Sequence, residues 1–193
     1  MPHLMGLVGS MRPRGNTETA VRAALASAAE MAGVTTELVA LRTLRIEFCR
    51  GCYEIHSRPE RGCAIRDDMA DLCARMRQAD GYIFASPAYF GGMTALLRAF
   101  FDRSGPLWGD LADKPAGVIA IGEGRFGGQE LVADDICVFC RAQRLRVVGW
   151  PLCLQTPPGD RPGSIAQDAD AMRQAAELGR TLATEMLKRG GGL

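Results

Sequence analysis

At 193 residues, 47% of them hydrophobic and 23% charged, the chain has the size and composition of one folded domain able to bury a core without disulfides. Intrinsic disorder and fibrous repeats are excluded by that composition. A net charge of +1 gives no electrostatic reason to expect nucleic acid or an anionic membrane as a partner, and the arginines are scattered rather than gathered in one block.

The first residues hold a short apolar stretch (Leu4, Met5, Leu7, Val8) without the charged start of a signal peptide, and no apolar run approaches the length of a membrane span. A cytoplasmic location is therefore expected, where thiols stay reduced. The 7 cysteines cannot all pair within one chain, so they read as thiols, ligands or redox groups.

In chain order, Leu4 to Val8 is a brief apolar run stopped by Gly9-Ser10, which predicts a buried strand. A helical period follows from Asn16, with Val21, Ala24, Leu25, Ala28 and Met31 on one face and Gly33 closing it. Val34 to Leu41 predicts a second strand. An irregular stretch with three cysteines then runs from Arg42 to Arg66. From Asp67 a helix is expected to turn Met69, Leu72, Cys73 and Met76 inward, with Asp67 and Asp68 as capping carboxylates. Gly81 to Ala85 is a third strand, Met93 to Arg103 a helix, and Ala116 to Ile121 a fourth strand. A helix from Gln129 to Arg144, a fifth strand from Val147 to Leu152 and a last helix capped by Ser164 complete the chain. Five continuously apolar strands alternating with five helices predict a single α/β domain. Its architecture is a flavodoxin-like, doubly wound, five-stranded parallel sheet in three α/β/α layers.

Open parallel sheets bind ligands beyond the carboxyl ends of their strands. Three loops leave those ends with unusual content. After the first strand comes GSMRPRGNT, where Ser10, Arg12, Gly15, Asn16 and Thr17 offer donors at the start of a helix, a setting for one phosphate. It is neither the dinucleotide fingerprint nor the nucleoside-triphosphate loop. After the third strand comes SPAYFGG, with Pro87, Ala88, Tyr89, Phe90 and Gly91, whose glycines admit a flat ligand and whose aromatics can line it. After the fourth comes the glycine-rich segment holding Gly122, Glu123, Gly127 and Gly128. An ordinary strand-to-helix turn and edge-of-core packing are the alternatives for the first two loops, and simple flexibility for the third.

At these residues the sequence resembles the NAD(P)H-dependent FMN reductases and their multimeric flavodoxin-like relatives. GSMRPRGNT looks like their phosphate loop, SPAYFGGMTALLRAFFDR is similar to their most specific central segment, and Phe126 to Glu130 fits their element after the fourth strand. The resemblance spans about Leu4 to Arg144. It implies FMN, its phosphate held by Ser10, Arg12, Asn16 and Thr17 and its ring touched by Pro87 to Gly91 and by Gly122 to Gly128. It also implies NAD(P)H as reductant, a small acceptor such as a flavin or quinone, and a homo-oligomer with a flavin site at the subunit interface. The apolar helix bearing Leu96, Leu97, Phe100 and Phe101, with Trp108 beyond it, is the expected contact surface. Hydride transfer between stacked rings needs no protein acid or base, so no catalytic side chain is assigned.

The stretch from Phe48 to Met69 resembles the iron–sulfur branch of the same family, where four cysteines ligate a 4Fe–4S cluster. Cys49, Cys52 and Cys63 occupy three positions and Ile55 the other, so no cluster is expected. A metal set of Cys49, Cys52, His56 and Cys63, a redox pair of Cys49 and Cys52, or plain structural thiols remain open. Cys137 and Cys140 share a helix face and read, with Cys73 and Cys153, as small core hydrophobes. Two other functions stand beside the reductase: an FMN electron carrier without NAD(P)H activity, and a flavin or thiol redox sensor.

Overall fold

The computed structural model describes residues 1–52, 62–157, 159 and 161–190. Its strands are β1 (His3–Val8), β2 (Thr35–Ala40), β3 (Gly81–Pro87), β4 (Pro115–Glu123), β5 (Arg146–Val147) and β6 (Leu152–Thr156). The helices are α1 (Asn16–Ala29), α2 (Met69–Gln78), α3 (Ala95–Asp102), α4 (Gln129–Ala142) and α5 (Ala169–Gly190). Every strand pairing is parallel, in the order β2-β1-β3-β4-β5, with β6 also on β4. This is the doubly wound, flavodoxin-like order, and it reverses direction between β1 and β3.

The two-residue period of the strands divides the core. Leu4, Val8, Ile83, Ala85, Ile119 and Ile121 pack with α1 and α5. Met5, Leu7, Tyr82, Phe84, Val118 and Ala120 face the other way, onto α2, α3 and α4. With both faces covered, the strands need apolar residues at every position, which is why they read as continuous apolar runs. Gly179 lets α5 lie directly on α1, since a side chain there would overlap the Ala24 carbonyl.

Three expectations are corrected. The fifth strand is broken in two: Val147 pairs with Ala116 and Leu152 with Ile119, so two extra residues bulge between them. Gly149 adopts a positive φ of 72°, Pro151 has no N–H to give, and Trp150 between them points into solvent. The last helix does not start at Ser164. Ser164–Gln167 is a separate 3-10 turn, and Asp168 Oδ1 accepts from the Ala171 N–H to start α5. Finally, Leu97, Phe100 and Phe101 on α3 are buried in the protein's own core, where the Phe101 ring stacks on Phe139 at 3.7 Å. They supply no oligomer surface. Trp108 beyond the helix is exposed, and further exposed apolar side chains, Phe90, Phe126 and Leu131, lie near the carboxyl ends of β3 and β4.

Candidate functional site

Beyond the carboxyl ends of β1, β3, β4 and β6 lies a cavity of about 290 Å³. It is lined by Ser10, Arg12, Gly15, Asn16, Thr17, Pro87, Ala88, Tyr89, Phe90, Gly122 and Glu123, and also by Ile121, Thr156 and Pro162. The first eleven were expected from the sequence. The last three were not: Ile121 and Thr156 are strand residues near the ends of β4 and β6, and Pro162 belongs to the loop after β6, which carries no motif.

The chain leaving β1 turns through Arg12 and Arg14 into α1, which starts at Gly15 without a side-chain cap. An uncapped helix start presents backbone N–H donors and the positive end of the dipole to whatever lies in front of it. Ser10 and Thr17 are buried beside this opening, and Ser10 Oγ accepts from the Arg12 N–H at 3.2 Å. Asn16 Oδ1 accepts from the Ile165 N–H at 3.1 Å, tying the loop to the turn before α5. Behind the loop, the buried Glu18 carboxylate accepts from the Arg14 N–H at 3.1 Å and pairs with Arg22 and Arg42. Burial pushes its carboxyl up, but the hydrogen bonds from Arg22 and the Arg14 N–H, with the charge of Arg42, more than offset this and hold it below the ordinary carboxylate value.

The loop after β3 is a two-residue turn closed by reciprocal bonds between Tyr89 and Gly92, at 2.8 and 3.1 Å. Its central residues Phe90 and Gly91 have φ of 51° and 78°, the positive pair that such a turn demands. A phenylalanine rarely takes that conformation, and here its ring is held wholly outside the core, on the cavity rim. Gly91, Gly127 and Gly128 do not line the cavity. Gly128, with φ of 84°, starts α4, and a Cβ there would lie 2.5 Å from Gly91 Cα. Gly128 thus lets the backbone of the loop after β3 cross it, while a Cβ on Gly127 would lie 2.7 Å from the Glu123 backbone nitrogen of its own loop. Glu123 Oε1 accepts from the Gly159 N–H, joining the loop after β4 to the one after β6.

The cysteine excursion is clamped at its neck. Arg103 and Asp67, both buried, form a two-point ion pair at 2.8 and 2.9 Å, and Arg103 also donates to the Glu47 carbonyl at 2.9 Å. Asp67 therefore does more than cap: its Oδ1 accepts from the Met69 N–H while its carboxylate neutralises a buried cation. Cys49 and Cys52 are exposed, Cys63 is half-buried near Arg103, and Ile55 and His56 lie outside the described residues. Among the described residues no three cysteine, histidine or acidic side chains are gathered closely enough to hold a metal ion. Cys73, Cys137 and Cys140 are buried as expected, and burial pushes the thiols of Cys73 and Cys140 up to about 11 and about 12.

A family model described as NADPH-dependent FMN reductase matches residues 2–151. The chain belongs to that family. It is an FMN-binding oxidoreductase of flavodoxin-like fold, and FMN with NAD(P)H as reductant is the family's cofactor pair. An iron–sulfur flavoprotein of Methanocaldococcus jannaschii is 37% identical over 93% of this chain and 95% of its own length. Among solved structures, an archaeal flavodoxin superposes with a TM-score of 0.64 at 11% identity, covering 95% of this chain and 98% of its own. A flavone reductase superposes with a TM-score of 0.73 at 21% identity, covering 99% of this chain and 65% of its own. For FMN the residues present fit: one helix start and one arginine suit a single phosphate, and residues of the loops after β3 and β4 line the same cavity. For the cluster in the M. jannaschii protein's name they do not, since Ile55 cannot donate to iron and the loop offers three thiolates where four are needed.

Proposed function

We propose that the protein passes electrons from NAD(P)H through FMN in this cavity to a small acceptor such as a flavin or quinone. The observation that carries this reading is the convergence of an uncapped α1 start, Arg12, Ser10 and Thr17 at one end of a cavity whose other walls are Pro87 to Phe90, Gly122 and Glu123. In this reading Arg12 grips the phosphate while the N–H groups of the first turn of α1 point at it. Tyr89 and Phe90 cover one edge of the ring, and the loop after β4 supports another. Bound FMN supplies hydride acceptance and stepwise electron delivery; the chain supplies binding, orientation and exclusion of water. No side chain is needed as acid or base.

Titration with FMN and with riboflavin tests the phosphate assignment. FMN should bind far more tightly, and equal affinities would remove the loop from Gly9 to Thr17 as a phosphate site. Steady-state oxidation of NADH and NADPH by the FMN-loaded protein then tests the activity. FMN bound without NAD(P)H oxidation would favour the electron-carrier reading, although a net charge of +1 is unlike the strongly acidic balance expected of such carriers. Among the described residues no helix is long and apolar enough to cross a membrane. We further read the chain as cluster-free.

A further inference from the structure

Gln129, the first residue of α4, is completely buried, an uncommon place for a glutamine. Its Nε2 reaches the carbonyls of Gly124 and Arg125 only at 3.5 and 3.4 Å. Its Oε1 has no hydrogen-bond partner although solvent does not reach it. Buried acceptors are nearly always paired, so an unpaired one calls for a reason. The glycine-rich loop is folded around this carboxamide. A Cβ on Gly127 would lie 3.0 Å from Oε1, and one on Gly122 would overlap it. The glycines of this loop thus make room for a side chain of the protein itself. Gly122 and Glu123, its two cavity-lining residues, are the part of the loop that a ligand would meet.

We propose that Gln129 is the positioning residue of the flavin pocket: its carboxamide shapes the loop from Gly122 to Gly128, and Oε1 takes a backbone N–H of that loop when a flavin ring settles against it. Gln129 does not line the cavity and acts only through the loop. The proposal rests on FMN occupying this cavity.

The test compares FMN affinity, amide exchange across residues 122–128, and melting of the FMN-free protein in the wild type, Gln129→Met and Gly122→Ala. Methionine keeps the length of the side chain without its hydrogen bonds; alanine puts a methyl where the carboxamide sits. Each variant should bind FMN at least about tenfold more weakly, the scale of one hydrogen bond or more. In Gln129→Met the loop amides should stay unprotected at saturating FMN, whereas in the wild type they become protected, and melting of the FMN-free protein should be little changed. Combining the two substitutions should weaken binding no further than the worse single change, because both break the same contact. Wild-type affinity and loop protection in Gln129→Met, or additive losses in the double variant, would overturn the proposal. If Gln129→Met fails to fold, Gln129→Leu is read by the same two measurements: weaker FMN binding with unprotected loop amides supports the proposal, and wild-type affinity with wild-type protection refutes it. A wild-type protein that takes no FMN would overturn both this proposal and the functional reading beneath it.

Discussion

Replacing Arg103 by methionine strips the buried Asp67 of its cation while keeping most of the side-chain volume. The two groups are 1% and 0% exposed, so water does not compensate the loss. Removing one partner of a buried pair costs about 3–5 kcal/mol, and the N–H groups of Glu47 and Met69 that still donate to Asp67 place the cost near the lower end, at about 3 kcal/mol. For a chain of this length each kcal/mol moves Tm by roughly 2–4 °C, so melting should fall by roughly 6–12 °C at neutral pH. In the wild type, burial pushes the Asp67 carboxyl up, but the hydrogen bonds from Arg103 and from the Glu47 and Met69 N–H groups outweigh it and hold it below its ordinary value of 3.8. The stabilisation from this ion is complete at neutral pH and is lost as pH falls through that lowered value. Without Arg103 the effect of burial dominates, and the variant relieves its own penalty by taking up a proton. Thermal melts followed by circular dichroism between about pH 7 and about pH 4 should therefore show the gap between variant and wild type narrowing as pH falls. Adding Asp67→Asn to Arg103→Met should recover part of the loss. A fall in Tm below about 2 °C, or a gap that ignores pH, would refute the reasoning.

Arg12→Ala should weaken FMN by about 1.5–3 kcal/mol, the scale of a charged hydrogen bond, and leave riboflavin affinity unchanged when both are titrated by fluorescence. Glu18→Gln should cost about 1–3 kcal/mol in urea melts at neutral pH, because Arg42 and Arg22 lose their counter-charge. That difference should vanish once acid protonates Glu18 in the wild type, below its ordinary value of 4.5. Alkylation of the native protein near pH 8 should label the exposed Cys49 and Cys52 first and spare Cys73 and Cys140, whose thiols burial keeps protonated; early labelling of Cys140 would contradict its place in the core. Anaerobically purified protein should carry FMN without stoichiometric iron or acid-labile sulfide, and about four of each per chain would show that a fourth ligand comes from beyond Cys49, Cys52 and Cys63.

The sheet was legible in the sequence because a strand buried on both faces must be apolar at every position, and β1, β3 and β4 announce that locally. The convergence of Ser10, Arg12, Asn16 and Thr17 on one cavity was legible for a similar reason: they lie within one short turn, so chain connectivity alone brings them together. What depends on elements meeting was not. The loop after β6 reaches the cavity through Thr156 and Pro162 only because two bulged residues still leave β6 in register on β4. Phe100 and Phe101 read as an exposed apolar stripe until Phe84 and Phe139 close over them from a strand and another helix. A side chain on Gly128 would strike the Gly91 backbone 37 positions away, and Arg103 neutralises Asp67 across 36. Periodicity reports which way a residue faces along its own element. The partner it finds is set by the free energy of packing whole elements together, which no local pattern encodes.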